Sequence, residues 1–61
     1  MKQKFIELTN EYGTVFFLSV DKIITIADWL PNGSLIDIGD KTYHVTDSPV
    51  EILEKIKNHF I

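Results

Sequence analysis

The sequence predicts an α+β domain: a strongly bent, barrel-like meander of four or five antiparallel strands, closed by one C-terminal helix. Two observations support this fold class. Residues up to about 46 alternate short runs of β-branched and aromatic residues with tight turns. The run that begins at Ser48-Pro49 instead repeats its apolar residues at helical spacing. We therefore expect a single domain over residues 1–61.

The first two strands are predicted to form a hairpin. A strand over about 2–9 alternates apolar and polar residues, and Asn10-Glu11-Tyr12-Gly13 then has the composition of a tight turn. The following strand, over about 14–20, is apolar on both sides. Its faces carry Val15 and Phe17 on one side and Phe16, Leu18 and Val20 on the other.

Three further strands are expected over about 23–30, 35–38 and 41–46. Pro31-Asn32-Gly33-Ser34 is the strongest turn signal, since Pro presets its own φ and Asn-Gly tolerates positive φ. Gly39-Asp40 suits a two-residue hairpin between the last two strands.

The helix is predicted over about 49–60. Ser48 can cap its first turn, Pro49 suits the first helical position, and Glu51 completes a capping box. The helix has to pack on the sheet, because an isolated helix of about a dozen residues is marginal in water. Its expected apolar stripe is Val50, Leu53, Ile56 and Phe60, joined by Ile52.

The second and third strands carry apolar residues on both faces, and one helix can cover only one of these faces. The other face is covered either by bending of the sheet on itself or by another subunit, and both interpretations stay open. A chain of 61 residues without Cys has no disulfide to stabilise it, which makes self-association the remaining means of stabilisation.

Composition narrows the class of partner and the compartment. Six basic and nine acidic residues give a net charge of −3, which disfavours a nucleic-acid backbone as the main partner. The apolar run Val15–Leu18 is far below the roughly 20 residues of a membrane-spanning helix. We expect a cytoplasmic protein that does not insert into membranes.

No motif for chemistry stands in the sequence, and we expect no catalytic, cofactor-binding or metal-binding residues. Zinc requires three or four ligands, and neither His44 nor His59 has further ligands at suitable spacing. The carboxylates and hydroxyls of the chain have structural explanations and need no catalytic role, because they stand in predicted turns, beside the helix cap or on the solvent side of a strand. These residues are Asp37, Asp40, Asp47, Ser19, Ser34 and Ser48.

Aromatic residues are the best candidates for a contact surface. Trp29-Leu30-Pro31 lies at the shoulder of a predicted hairpin, where Trp29 is either an interface anchor or a residue at the edge of the core. Phe16 and Phe17 point to opposite faces of one strand. The sequence therefore predicts a non-enzymatic protein-interaction or accessory module that associates with itself or with a protein partner. The predicted surface is Phe16, Phe17, Trp29, Leu30 and Pro31.

Two other classes of function are possible alternatives. One is a nucleic-acid-binding regulatory protein, whose basic surface would consist of Lys2, Lys4, Lys22 and Lys41. The other is an enzyme fragment or regulatory subunit, which would need a cleft lined by Asp28 and His44.

The order of residues along nearly the whole chain resembles a known family. The matching positions are Leu8-Thr9, Gly13, Leu18, Asp21, Ile23, Ile26, Ile36, Ile38, Lys41, Val45, Ser48 and Glu51. This run is similar to the short bacterial flagellar-operon proteins called FlbD or SwrD, and it also resembles small uncharacterised bacterial and phage β proteins. The resemblance implies a cytoplasmic accessory protein that has no catalytic residues and acts by contact. Weaker similarities are to the LytTR DNA-binding domain and, in length and element order, to the carbon storage regulator family.

Overall fold

The computed structural model describes residues 4–29 and 31–61. The predicted α+β class and the single C-terminal helix are confirmed within these ranges, and of the four or five strands expected there are five. The predicted strand positions Lys2, Gln3 and Leu30 lie outside the described residues. The elements are β1 (Phe5–Thr9), β2 (Val15–Ser19), a 3-10 turn (Val20–Lys22), β3 (Thr25–Asp28), β4 (Ser34–Asp37), β5 (Thr42–Val45) and α1 (Pro49–Asn58).

The strands form two small antiparallel sheets, and no closed barrel exists within the described ranges. One sheet is the hairpin β1-β2 and the other has the order β3-β4-β5. An isolated bridge between Asn10 and Val45 joins their corners. The expected continuous, barrel-like meander is therefore broken between β2 and β3. The 3-10 turn explains the break, because the Ile23 N–H donates to the Val20 carbonyl (3.1 Å) and turns the chain away from β2.

One hydrophobic core lies between the inner faces of the two sheets and the helix. Each sheet contributes alternate residues of its strands to this core, as the side-chain period of two requires. The partly buried Phe16, Ile26 and Ile56 pack around it. The fully or nearly fully buried apolar residues are Ile6, Leu8, Leu18, Ile36, Val45 and Ile52.

The helix begins as the sequence predicts. The Glu51 N–H donates to Ser48 Oγ (3.2 Å), and the Ser48 N–H donates to Glu51 Oε1 (2.8 Å), which is a complete capping box. Pro49 occupies the first turn, where its missing N–H has no intrahelical acceptor to lose. Local residues alone determine this helix start.

The face of α1 that packs on the sheets differs from the predicted stripe. Ile52 is fully buried and Ile56 packs against the core, but Val50 is 75% exposed and Leu53 is 54% exposed. Phe60, the last residue of the predicted stripe, is 41% exposed. The helix is therefore rotated relative to the expectation, so that the inner face is centred on Ile52 and Ile56.

The rotation follows from polar contacts at the outer edge of β1. Lys55 Nζ donates to the Glu7 carbonyl (2.6 Å) and to Asp47 Oδ2 (2.8 Å), and Asp47 Oδ1 accepts from the Thr9 N–H (3.2 Å). Ile61 forms two backbone hydrogen bonds with Phe5 further along the same edge. Lys55 of the helix and Asp47, just before the helix cap, thus take the place of a neighbouring strand along β1. These contacts turn the Lys55 side of the helix toward β1.

Replacing Lys55 by methionine is expected to lower the free energy of unfolding by about 1–3 kcal/mol, because the Glu7 carbonyl and the Asp47 carboxylate lose a shared donor. Lys57→Met is the matched control, since Lys57 is exposed in the last turn of the same helix. Urea unfolding followed by circular dichroism measures both variants. Equal losses for the two variants would show that the contact at the β1 edge contributes nothing.

Candidate functional site

The outer face of the β1-β2 hairpin carries an exposed apolar patch, which we call the hairpin patch and define as Phe5, Val15 and Phe17. These side chains are 37%, 53% and 51% exposed. In the register, Phe17 is opposite Glu7 and Val15 is opposite Thr9, so that they share the face directed away from the core. An aromatic and a β-branched residue therefore face solvent on a strand that has no charged residue.

The backbone of β2 offers a free edge beside this patch. The Val20 N–H donates to the Lys4 carbonyl (2.9 Å), and the Asn10 N–H donates to the Thr14 carbonyl (2.9 Å). The even-numbered residues of β2 therefore direct their backbone groups toward β1, and the odd-numbered residues direct theirs to the other side. The N–H and C=O groups of Val15, Phe17 and Ser19 therefore point away from β1. Within residues 4–29 and 31–61 no hydrogen bond reaches these groups, and β2 pairs with β1 alone.

The second exposed aromatic surface lies on the outer face of the β3-β4-β5 sheet. Trp29 is 44% exposed and stands edge-on to His44, with ring centroids 5.2 Å apart. Glu11, in the turn of the hairpin, brings a carboxylate oxygen to 3.6 Å from His44 Nδ1. Pro31 is exposed, and Leu30 lies outside the described residues.

The predicted contact residues thus divide between different parts of the molecule. Phe16 faces the core side of β2, where its ring lies 5.2 Å from that of Tyr43. Phe17 and Trp29 are exposed, but they lie on the outer faces of two sheets that share one core between them. They therefore form two separate surfaces and not the single surface that the sequence suggested.

A third apolar surface, on the outer side of α1, was missed by the sequence analysis. A shallow groove of about 450 Å³ lies here. The sequence did indicate such a surface, because the apolar stripe predicted for the helix is wider than the part of the helix that the sheets cover. The groove is lined by Val50, Leu53, Glu54, Ile56 and Lys57.

The described lysines of the nucleic-acid alternative lie over aromatic rings or in a turn. Lys4 lies over the Phe60 ring (4.4 Å to its centroid) and Lys41 lies over the Tyr43 ring (5.5 Å), whereas Lys22 is in the 3-10 turn. Lys2 lies outside the described residues.

Asp28 and His44, the proposed pair of an enzyme cleft, lie on opposite faces of the β3-β4-β5 sheet. The register aligns Asp28 with Ser34 and Val45, whereas His44 is aligned with Leu35 in the neighbouring row. Alternation directs these rows to opposite faces. The two side chains therefore cannot converge on one substrate.

Within residues 4–29 and 31–61, no group of three or more His, Cys, Asp or Glu residues could hold a metal ion. No helix within the same ranges combines the length and the apolar character needed to cross a membrane. Comparison of the chain with family models, curated proteins and solved structures finds no match.

Proposed function

We propose that this chain is a non-enzymatic protein-interaction module that associates with itself. The proposal is carried by one observation: Phe17 and Val15 are half exposed on an uncharged strand whose outer edge has no partner in the described residues. Aromatic residues in such positions are the usual anchors of protein interfaces. Edge strands that stay monomeric are usually protected by charges, prolines or covering segments.

The contrast between the two edges of the hairpin supports this proposal. The outer edge of β1 is covered by Lys55, Asp47 and the last residue of the chain. The edge of β2 has no such cover among the described residues, although its strand is the more apolar of the two. Within the described residues, one edge of the hairpin is thus covered and the other is available for contact.

The small core adds a second reason for self-association. Six apolar residues are buried in the described part of this 61-residue chain, and it has no Cys with which to form a disulfide. Covering Phe17 and Val15 against another subunit would stabilise each copy at about 25 cal/mol for each Å² of apolar surface removed from water. Association is therefore a direct way to extend a limited core.

Sedimentation equilibrium over protein concentrations of about 1 µM to 1 mM tests the proposal, because this range covers the affinities of small interfaces. We expect the average mass to rise from that of the 7.0 kDa chain toward twice this value. Phe17→Ser is expected to weaken association by about tenfold or more.

Leu53→Ser is the matched control, since Leu53 is 54% exposed on the helix and Phe17 is 51% exposed on β2. We expect Leu53→Ser to leave the association unchanged. Loss of association in Leu53→Ser and not in Phe17→Ser would move the interface to the groove on α1. A monomeric wild-type chain at every concentration would contradict the proposed self-association.

A further inference from the structure

We infer that two copies associate by antiparallel pairing of β2 with β2, about a two-fold axis at Phe17, to form a continuous four-stranded sheet β1-β2-β2-β1. This inference rests on the proposed self-association and specifies its geometry. The starting observation is the free ladder of backbone donors and acceptors at Val15, Phe17 and Ser19. Such a ladder specifies another strand as its occupant, which a merely apolar face does not.

The spacing of the free groups selects the position of the axis. An axis at Phe17 pairs Phe17 with Phe17, and Val15 with Ser19 of the second copy, so all three outward residues take part, including Ser19, which is only 8% exposed in the single chain. Each such pair exchanges two bonds, which gives about six backbone hydrogen bonds. An axis at Phe16 or at Leu18 pairs only two of the three residues within β2 and gives about four.

The side chains around this axis are compatible with a second copy of the same chain. β2 contains no charged residue, so the pairing brings no like charges face to face. The hairpin patch of one copy would continue into that of the other, placing the two Phe17 rings side by side on one face of the new sheet. A single apolar surface would then replace two smaller ones.

Charged residues of both signs lie at the two ends of β2. The hairpin turn at one end carries Glu11 and Tyr12, and Tyr12 is 84% exposed. The 3-10 turn at the other end carries both Asp21 and Lys22. The two-fold axis places the hairpin turn of each copy beside the 3-10 turn of its mate. Lys22 then approaches Glu11 and the Tyr12 ring, whereas Asp21 brings a like charge to the same turn, so the charges around the axis do not decide the pairing.

The contact extends over the segment from Glu11 to Ile23 in both copies, which makes its size that of a small interface. The described surface of one chain is 4426 Å². A standard interface removes about 800 Å² from each partner, and a single strand edge with its two flanking turns falls at or below this size. We therefore expect a weak dimer that exchanges readily.

Cysteine cross-linking tests the position of the axis, and the absence of natural Cys removes any background. At the axis, the two Cα atoms of residue 17 would be about 5.5 Å apart, within the range of about 4.4–6.8 Å for disulfides. Phe17→Cys is expected to form a covalent dimer with a mild oxidant such as diamide. Val15→Cys is the matched control: it is equally exposed, but its copies would lie about 14 Å apart.

Cross-linking of Phe17→Cys at least tenfold faster than that of Val15→Cys would support the inference. Equal rates for the two variants, or slower cross-linking of Phe17→Cys, would overturn it. If the wild-type chain sediments as a dimer but Phe17→Cys shows no preference, the β2 pairing fails and self-association stands. If the wild-type chain is monomeric throughout, both fail.

A charge-exchange experiment tests the same axis without covalent chemistry. Phe17→Lys and Phe17→Glu each place like charges opposite themselves, so each variant alone is expected to be monomeric. An equimolar mixture places Lys opposite Glu, and dimers of mixed composition are expected to reappear in sedimentation. A mixture as monomeric as its components would count against a contact between the two copies of residue 17.

Discussion

Replacing Gly33 by alanine is expected to destabilise the fold by about 3–5 kcal/mol, through a steric clash and a strained backbone. Gly33 has a φ of +106°, and an added Cβ would overlap with the carbonyl oxygen of Val45 and lie 3.3 Å from its carbonyl carbon. Val45 is fully buried, pairs with Ser34 and bridges to Asn10, which joins the two sheets. The clash therefore cannot be relieved without moving the core.

This loss is a large part of the total stability. At about 0.05–0.15 kcal/mol per residue, a chain of this length has about 3–9 kcal/mol to lose. Urea unfolding followed by circular dichroism measures the variant. Gly13→Ala is the control, because Gly13 also has a positive φ, +86°, but nothing lies within 4 Å of its added Cβ. Equal losses at the two sites would indicate that backbone strain alone, and not the contact with Val45, sets the effect.

Truncating Ile52 to alanine is expected to cost about 2–5 kcal/mol, because this residue is fully buried between the helix and the sheets. The adjacent Leu53 is 54% exposed, and Leu53→Ala is expected to change the free energy of unfolding by about 0.5 kcal/mol or less. Thermal unfolding of the two variants under identical conditions makes the comparison. Alanine has a higher helix propensity than either residue, and the gain is larger at Ile52 than at Leu53, so propensity works against the expected order and does not produce it.

The reverse order, with Leu53→Ala costing more than Ile52→Ala, would mean that the helix packs through the face centred on Val50 and Leu53. That is the face that the sequence pattern alone favoured. The pair of adjacent substitutions therefore tests the rotation of α1 directly, independently of any association. The measurement is made at low micromolar protein concentration, so that self-association does not contribute to the free energy of unfolding of either variant.

The parts of the fold that the sequence predicts well are those that depend on a few neighbouring residues. Ser48 and Glu51 form the capping box that their spacing indicated. Gly13 and Gly33 adopt positive φ in the two turns where they were expected. Alternation along β2 correctly placed Leu18 and Phe17 on opposite faces, of which the structure makes that of Leu18 the inner one.

The candidate surfaces were predicted less completely. Phe17 and Trp29 are exposed, as an interface requires, but residues distant in sequence decide which of the aromatic residues is covered. Phe16 lies inside because Tyr43 of the other sheet meets it there. A pattern of two apolar faces on one strand carries no information about which face another sheet will cover.

Local chemistry in this chain determined the kind of each element, its turns and the start of the helix, because caps, positive φ and alternation involve residues only a few positions apart. Tertiary structure alone decided the bridge from Asn10 to Val45 and the rotation of α1. Each of these depends on contacts across the chain, such as that of Lys55 with the Glu7 carbonyl. Distant contacts of this kind cover the outer edge of β1, whereas the edge of β2, on which the proposed function rests, has no partner among the described residues.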